Sequence, residues 1–179
     1  MGAGHPSGAE PLILTTMLPA DLHGWATDLR TRHFPAERNH LKAHVTLFHA
    51  LPHFLEAELI TLLGRLAAEQ APVAARLEGI MSLGRGTALQ LASPAMLALR
   101  DRIAAHLHGS LTAQDQHRPR LHVTVQNKVS PEDAKALQRQ LAAQVRPRSF
   151  AFPGLSLHRY RGGPWDHVRD FRFRGTQRG

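Results

Sequence analysis

Lys42-Ala43-His44-Val45-Thr46-Leu47-Phe48 and Arg120-Leu121-His122-Val123-Thr124-Val125-Gln126 are the two stretches on which the fold turns. Each alternates polar and apolar residues with a period of two, the signature of a half-buried β-strand. On the first strand Lys42, His44, Thr46 and Phe48 share one face, and Ala43, Val45 and Leu47 take the core side. On the second, Arg120, His122, Thr124 and Gln126 face outward while Leu121, Val123 and Val125 point inward. With 13 histidines and 10 threonines in 179 residues, chance alone supplies roughly one His-x-Thr, so the weight rests on the flanking residues and on the duplication. Sliding the chain by 78 positions superposes His44-Val45-Thr46 on His122-Val123-Thr124, and with them Leu59 on Leu137, Leu63 on Leu141 and Gly84 on Gly162. One structural unit occurs twice.

The elements around the two strands fill out that unit. Leu12 to Met17 reads as a strand, and Pro19 opens a helix with Leu22, Trp25, Ala26 and Leu29 on one face. Residues 34–42 read as a loop. Phe54 to Ala68 has leucines at helical spacing, and Val73 to Leu83 with Thr87 to Ala92 form a hairpin around Gly84-Arg85-Gly86. Ser93 and Pro94 mark a helix start and Gly109 its end. Leu111 to Arg118 is polar loop, and Ser130, Pro131 and Asp133 begin a further helix. Ser149 to Tyr160 and Trp165 to Arg174 flank Gly162-Gly163-Pro164 as a second hairpin. Helix, strand, helix and hairpin recur, with strands adjacent rather than strictly alternating with helices. The expected class is therefore α+β, a duplicated bilobal unit with mainly antiparallel sheets, helices on the outer faces and a central cleft. Residues 1–10 are expected to be a flexible N-terminus, 11–174 a single bilobal catalytic domain and 175–179 a tail.

Composition narrows the chemistry. The chain has no cysteine, which removes disulfides, zinc ribbons, iron–sulfur clusters and thiol nucleophiles. A chain of this size buries enough surface to fold without such staples. Twenty-two Lys and Arg against 14 Asp and Glu give a formal net charge of +8, which steers polyanions such as RNA toward the surface. Arginine heavily outnumbers lysine, so composition bias alone accounts for part of that balance. Met1 to Glu10 has neither the basic start nor the apolar run of a signal peptide, and no segment is apolar enough to span a bilayer. A soluble, cytoplasmic monomer that does not engage membranes is expected.

Facing copies of the two strands would bring two imidazoles, two hydroxyls and a set of cations into one cleft. A neutral imidazole can take a proton from a hydroxyl or water while a protonated one gives a proton to a leaving oxygen. Threonine hydroxyls and cations can hold the non-bridging oxygens of a phosphate as charge builds on them. Lys42, Arg120 and Lys128 are the phosphate-binding cations to expect, and Phe48 and Tyr160 the candidates for stacking on a base. Trp165 reads as hairpin cover. His49 with His53, and His106 with His108, lack the geometry and the carboxylate partner of a metal centre. No Walker-type glycine loop is present. Neither metal nor cofactor is expected.

The pair of His-hydrophobic-Thr-hydrophobic tetrads resembles those of the 2H phosphoesterase superfamily, in its bacterial 2′-5′ RNA ligase-like branch, and the likeness runs from about Leu12 to Phe173. The resemblance implies a bilobal fold, metal-independent opening of 2′,3′-cyclic phosphates to 2′-phosphates, and in some members reversible 2′-5′ joining of RNA ends. It implies catalytic roles for His44 and His122 and phosphate contacts for Thr46 and Thr124. RNA ends or small nucleotides carrying a 2′,3′-cyclic phosphate would be the partners. Two departures stand out. Phe48-His49-Ala50-Leu51-Pro52 replaces the aromatic-Leu-Gly ending common after the first tetrad, and Lys128 stands nearest to where an arginine often follows the second. The competing readings are an RNA-end-binding module without turnover and a phosphodiesterase specific for 2′-5′-linked oligonucleotides.

Overall fold

The computed structural model describes residues 10–177, so residues 1–9 of the expected flexible N-terminus and residues 178–179 of the tail lie outside the described residues. Among the described residues eight strands form two antiparallel sheets. Sheet A is built from β1 (Leu12–Thr16), β2 (Val45–Leu51), β7 (Gly154–Tyr160) and β8 (Trp165–Arg172), in the order β2-β1-β7-β8. Sheet B is built from β3 (Val73–Ser82), β4 (Thr87–Ala92), β5 (His122–Gln126) and β6 (Arg148–Phe152), in the order β5-β4-β3-β6. The α+β, bilobal, antiparallel architecture expected from the sequence is the one observed. Among the described residues four α-helices, α1 (Ala20–His33), α2 (Glu56–Glu69), α3 (Pro94–His106) and α4 (Pro131–Ala142), cover them. α2 packs on β7 and β8, whereas α3 and α4 pack on β3.

The helix starts follow the local chemistry. Ser93 Oγ accepts the Met96 N–H and Ser130 Oγ accepts the Asp133 N–H, each followed by Pro at the first helical position. The leucines spaced along α2, among them Leu59, Leu62, Leu63 and Leu66, are all buried. The hairpin turns use the duplicated glycines: Gly84 and Gly162 have φ of 80° and 82°, a left-handed conformation that other residues adopt at a cost.

The hairpins lie where the 78-residue repeat does not place them. β3 and β4, which follow the first tetrad in the chain, belong to sheet B with the second tetrad's strand; β7 and β8, which follow the second, belong to sheet A with the first. Ser149 to Tyr160 is accordingly not one strand. It breaks at Pro153 into β6 of sheet B and β7 of sheet A, because proline ends one ladder and the chain crosses between lobes there. The exchange leaves one connected hydrophobic core, with Leu12, Leu47, Phe48 and Leu155 from sheet A and Leu77, Leu89, Val123 and Phe152 from sheet B.

Candidate active site

β2 and β5, the two tetrad strands, are sheet-edge neighbours that approach each other between the lobes. Both are bulged at the same place. β1 pairs Thr15 with Thr46 and Leu14 with Phe48, and β4 pairs Ala88 with Thr124 and Thr87 with Gln126, so Leu47 and Val125 are each an extra residue. The bulge reverses the alternation just past each threonine. Phe48 is therefore fully buried in the core under the Arg100 guanidinium, which stands 4.2 Å from its ring centroid, and it cannot stack on a base. Gln126 is likewise buried, with its side-chain oxygen accepting from the Thr87 hydroxyl at 3.0 Å. The expectation of an outward Phe48 and Gln126 is corrected on this ground.

His44, Thr46, His122 and Thr124 stay off the fully buried faces of their strands and are half-buried. The two imidazoles are fixed in the same way. His44 Nδ1–H donates to the Lys42 carbonyl at 2.8 Å and His122 Nδ1–H donates to the Arg120 carbonyl at 2.6 Å. A carbonyl can only accept, so each ring carries its proton on Nδ1 and presents Nε2 free to gain or lose one. Among the described residues the Thr124 carbonyl is engaged by Arg30, while neither threonine hydroxyl is spent on a protein partner. Burial pushes His44 down to about 4, and the nearby charges of Arg30, His158 and His122 act in the same direction against the Lys42 hydrogen bond.

The other expected residues are placed less tightly. Lys42 and Arg120 are exposed, and their main-chain carbonyls, rather than their side chains, hold the histidines. Lys128 is exposed in the turn after β5, in a left-handed conformation with φ of 58°. Tyr160 is 39% exposed at the end of β7 and does not line the cavity beside His44. The aromatic ring that reaches His44 is that of Trp165, the cross-strand partner of Tyr160, with ring centroids 4.6 Å apart. Trp165 also lies 5.3 Å from the His158 ring, so its reading as mere hairpin cover is replaced by a place in the site.

Two buried arginines, neither singled out from the sequence, cross between the lobes. Arg30 on α1 donates from Nη1 to the Thr124 carbonyl at 2.8 Å and from Nε to the Leu41 carbonyl at 3.1 Å and to Asn39 Oδ1 at 3.3 Å. Arg100 on α3 donates from Nε to the Leu47 carbonyl at 3.1 Å and from Nη2 to the Asp115 carbonyl at 2.5 Å. Each thus reaches from the helix before one tetrad to the strand of the other. The Asp115 carboxylate adds a clasp by accepting the His49 and Ala50 N–H groups at 2.8 and 2.9 Å. Burial lowers Arg30 to about 10, which leaves it charged at neutral pH.

The cleft histidines have a consequence for folding. Burial pushes both His44 and His158 down to about 4, so between pH 6.5 and 4 the unfolded chain binds protons there that the folded protein does not. Stability contributed by the neutral rings is full above pH 6.5 and is lost as pH falls toward 4. Thermal melts at pH 7.5, 6.0 and 5.0 should show a falling Tm. The fall should be shallower in His44→Gln/His158→Gln, and equal slopes in both proteins would refute the assignment.

The family model for the 2′-5′ RNA ligase superfamily matches residues 18–164. Among solved structures, TT0787 of Thermus thermophilus is 21% identical with a TM-score of 0.66, over 93% of this chain and 100% of that one. Escherichia coli LigT, in a crystal structure with 3′-AMP, is 20% identical with a TM-score of 0.58, over 94% and 99%. A structure described as a phosphoesterase is 20% identical with a TM-score of 0.59, over 94% and 99%. These likenesses concern the fold. No curated protein sequence matches the chain closely enough to count as a relative. Two bulged tetrad strands meeting between lobes, and a family match that takes in both of them, establish that the chain belongs to the 2′-5′ RNA ligase superfamily of 2H phosphoesterases.

Proposed function

We propose that the protein opens 2′,3′-cyclic phosphates on RNA ends or nucleotides to 2′-phosphates by metal-independent two-histidine catalysis. The observation that carries this reading is the matched tautomer of His44 and His122, each with Nδ1–H on a main-chain carbonyl and Nε2 left free. One Nε2 takes a proton from water as its oxygen bonds to phosphorus. The bond from phosphorus to the ribose 3′ oxygen breaks, and the other imidazolium gives its proton to that oxygen. The product is a 2′-phosphate and a free 3′ hydroxyl, with the proton count conserved. Thr46 and Thr124 hydroxyls donate to the non-bridging oxygens, where negative charge grows. Arg120, Lys42 and Lys128 add positive potential at the rim without a fixed contact. With an RNA 5′ hydroxyl in place of water as the nucleophile, the same proton transfers would form a 2′-5′ phosphodiester, the 3′ oxygen again leaving as a hydroxyl.

The test is hydrolysis of a 2′,3′-cyclic mononucleotide and of an RNA with a 2′,3′-cyclic phosphate end, in excess EDTA, with the regiochemistry of the product determined. Turnover to the 2′-phosphate at an undiminished rate in EDTA is the expected result. A 3′-phosphate product, or activity lost with EDTA and restored by a divalent ion, would overturn it. Cleavage confined to 2′-5′-linked oligonucleotides would shift the assignment to that linkage.

A further inference from the structure

We propose that the cleft-facing side of sheet A is a track for single-stranded RNA, running away from His44 toward Arg172 and holding the nucleotides upstream of the reacting end. This rests on the phosphodiesterase reading above and extends it to substrate length. The reacting phosphate needs only the two tetrads, yet a cavity of about 810 Å³ opens beside His44 and none of the second tetrad's residues line it. One wall is the sheet A face opposite α2, which is polar where a covered sheet would be apolar; the other is the Met17–Ala20 segment leading into α1 and the His40–Ala43 loop before His44. On β8 the residues facing the cavity are Trp165, His167, Asp170 and Arg172. Strict alternation would turn Asp170 and Arg172 away. A bulge between the Leu157–Arg169 and His158–His167 pairs resets the phase and keeps all four on the same side.

Length decides in favour of a strand over a mononucleotide. Trp165 and Arg172 are the two ends of an eight-residue strand, about 23 Å apart at the rise of an extended chain. Stacked nucleotides advance by about 3.4 Å each, so the track is longer than one nucleotide can fill. Its chemistry is graded along that length. At the His44 end the half-buried Trp165 ring offers a stacking face, which accepts any base. Lys42, beside His44, and Arg172, at the far end, supply positive charge for phosphates. Among the described residues Asp170 is the one carboxylate of the lining, and its Oδ1 is engaged by the Ser156 hydroxyl at 2.7 Å and by His167 Nε2 at 2.8 Å. The polyanion therefore meets a carboxylate with one of its two oxygens, Oδ1, already taken by two donors.

The experiment compares kcat/KM on cyclic-phosphate substrates of one, two, three and four nucleotides for wild type, Arg172→Ala and Arg172→Glu. Wild type should gain tenfold or more between one and three nucleotides. Arg172→Ala should erase most of that gain, and Arg172→Glu all of it, with mononucleotide hydrolysis unchanged in both. Equal rates at every length in wild type, or equal loss at every length in the variants, would overturn the track. If no cyclic phosphate is turned over at all, the phosphodiesterase reading fails, and the track is then judged by fluorescence anisotropy with a labelled RNA trimer. Several-fold weaker binding by Arg172→Glu, with a shallower salt dependence, supports it. Unchanged binding refutes it.

Discussion

Replacing His44 or His122 by alanine should lower kcat/KM on a 2′,3′-cyclic phosphate by at least a thousandfold. A positioned acid or base contributes on the order of 10²–10⁴ in rate, and here each ring serves one end of a single in-line displacement. Removing either leaves the proton inventory incomplete, so the double variant should be little worse than the single ones, as is usual for groups that act as a unit. The tautomer supplies an internal control. His44→Asn retains a side-chain donor able to reach the Lys42 carbonyl but has no group at the Nε2 position, and it should be as inactive as alanine. Circular dichroism and melting temperature at pH 7.5 serve to separate chemistry from folding. Because both rings are half-buried on the cleft side and not in the core, the variants should remain folded. Activity surviving in both single variants would remove the histidines from the reaction, and undiminished end-binding without any wild-type turnover would make the cleft a binding module.

What the sequence discloses about this fold is what local periodicity can carry. Strand parity places His44 with Thr46 and His122 with Thr124, and the serine–proline pairs at 93–94 and 130–131 mark two helix starts that the structure keeps. Parity fails one residue later. An extra residue at Leu47 and Val125 inverts the face of everything downstream, and nothing in the pairs Leu47-Phe48 or Val125-Gln126 marks the bulge. Phe48, which parity alone puts at a base, therefore lies in the core. The exchange of hairpins between the two sheets is invisible for a different reason: a repeat in sequence specifies similar units but not which copy pairs with which. Trp165, Arg30 and Arg172 act on residues far away in the chain or across a bulge, and no short-range pattern reports such contacts. One available signal was the spacing of His158, Trp165 and His167 around the second glycine turn, which puts three rings on facing strands of one hairpin.

Arg30→Met should cost about 3 kcal/mol of stability, a fall in Tm of roughly 6–12 °C for a chain of this length. Arg30 is only 3% exposed and its guanidinium spans the two lobes, from the Leu41 carbonyl in the loop before His44 to the carbonyl of Thr124 in the second tetrad. Methionine fills much of the same volume but leaves both carbonyls without their donor, and a buried acceptor without a partner costs more than the hydrogen bond contributed. The tetrads would then lose a shared anchor, so turnover measured well below the melting range should fall tenfold or more. A purely structural role would stop there. Arg30 also acts on His44 through its charge, which works with burial to depress the imidazole. The His44 midpoint, followed by NMR of the ring proton, should rise in Arg30→Met. In Arg30→Lys, which keeps the charge but cannot reproduce the forked set of donors, the midpoint should stay near the wild-type value while stability still drops. A methionine variant with an unshifted His44 midpoint would reduce Arg30 to a lobe clamp, and one that melts at the wild-type temperature would remove even that role.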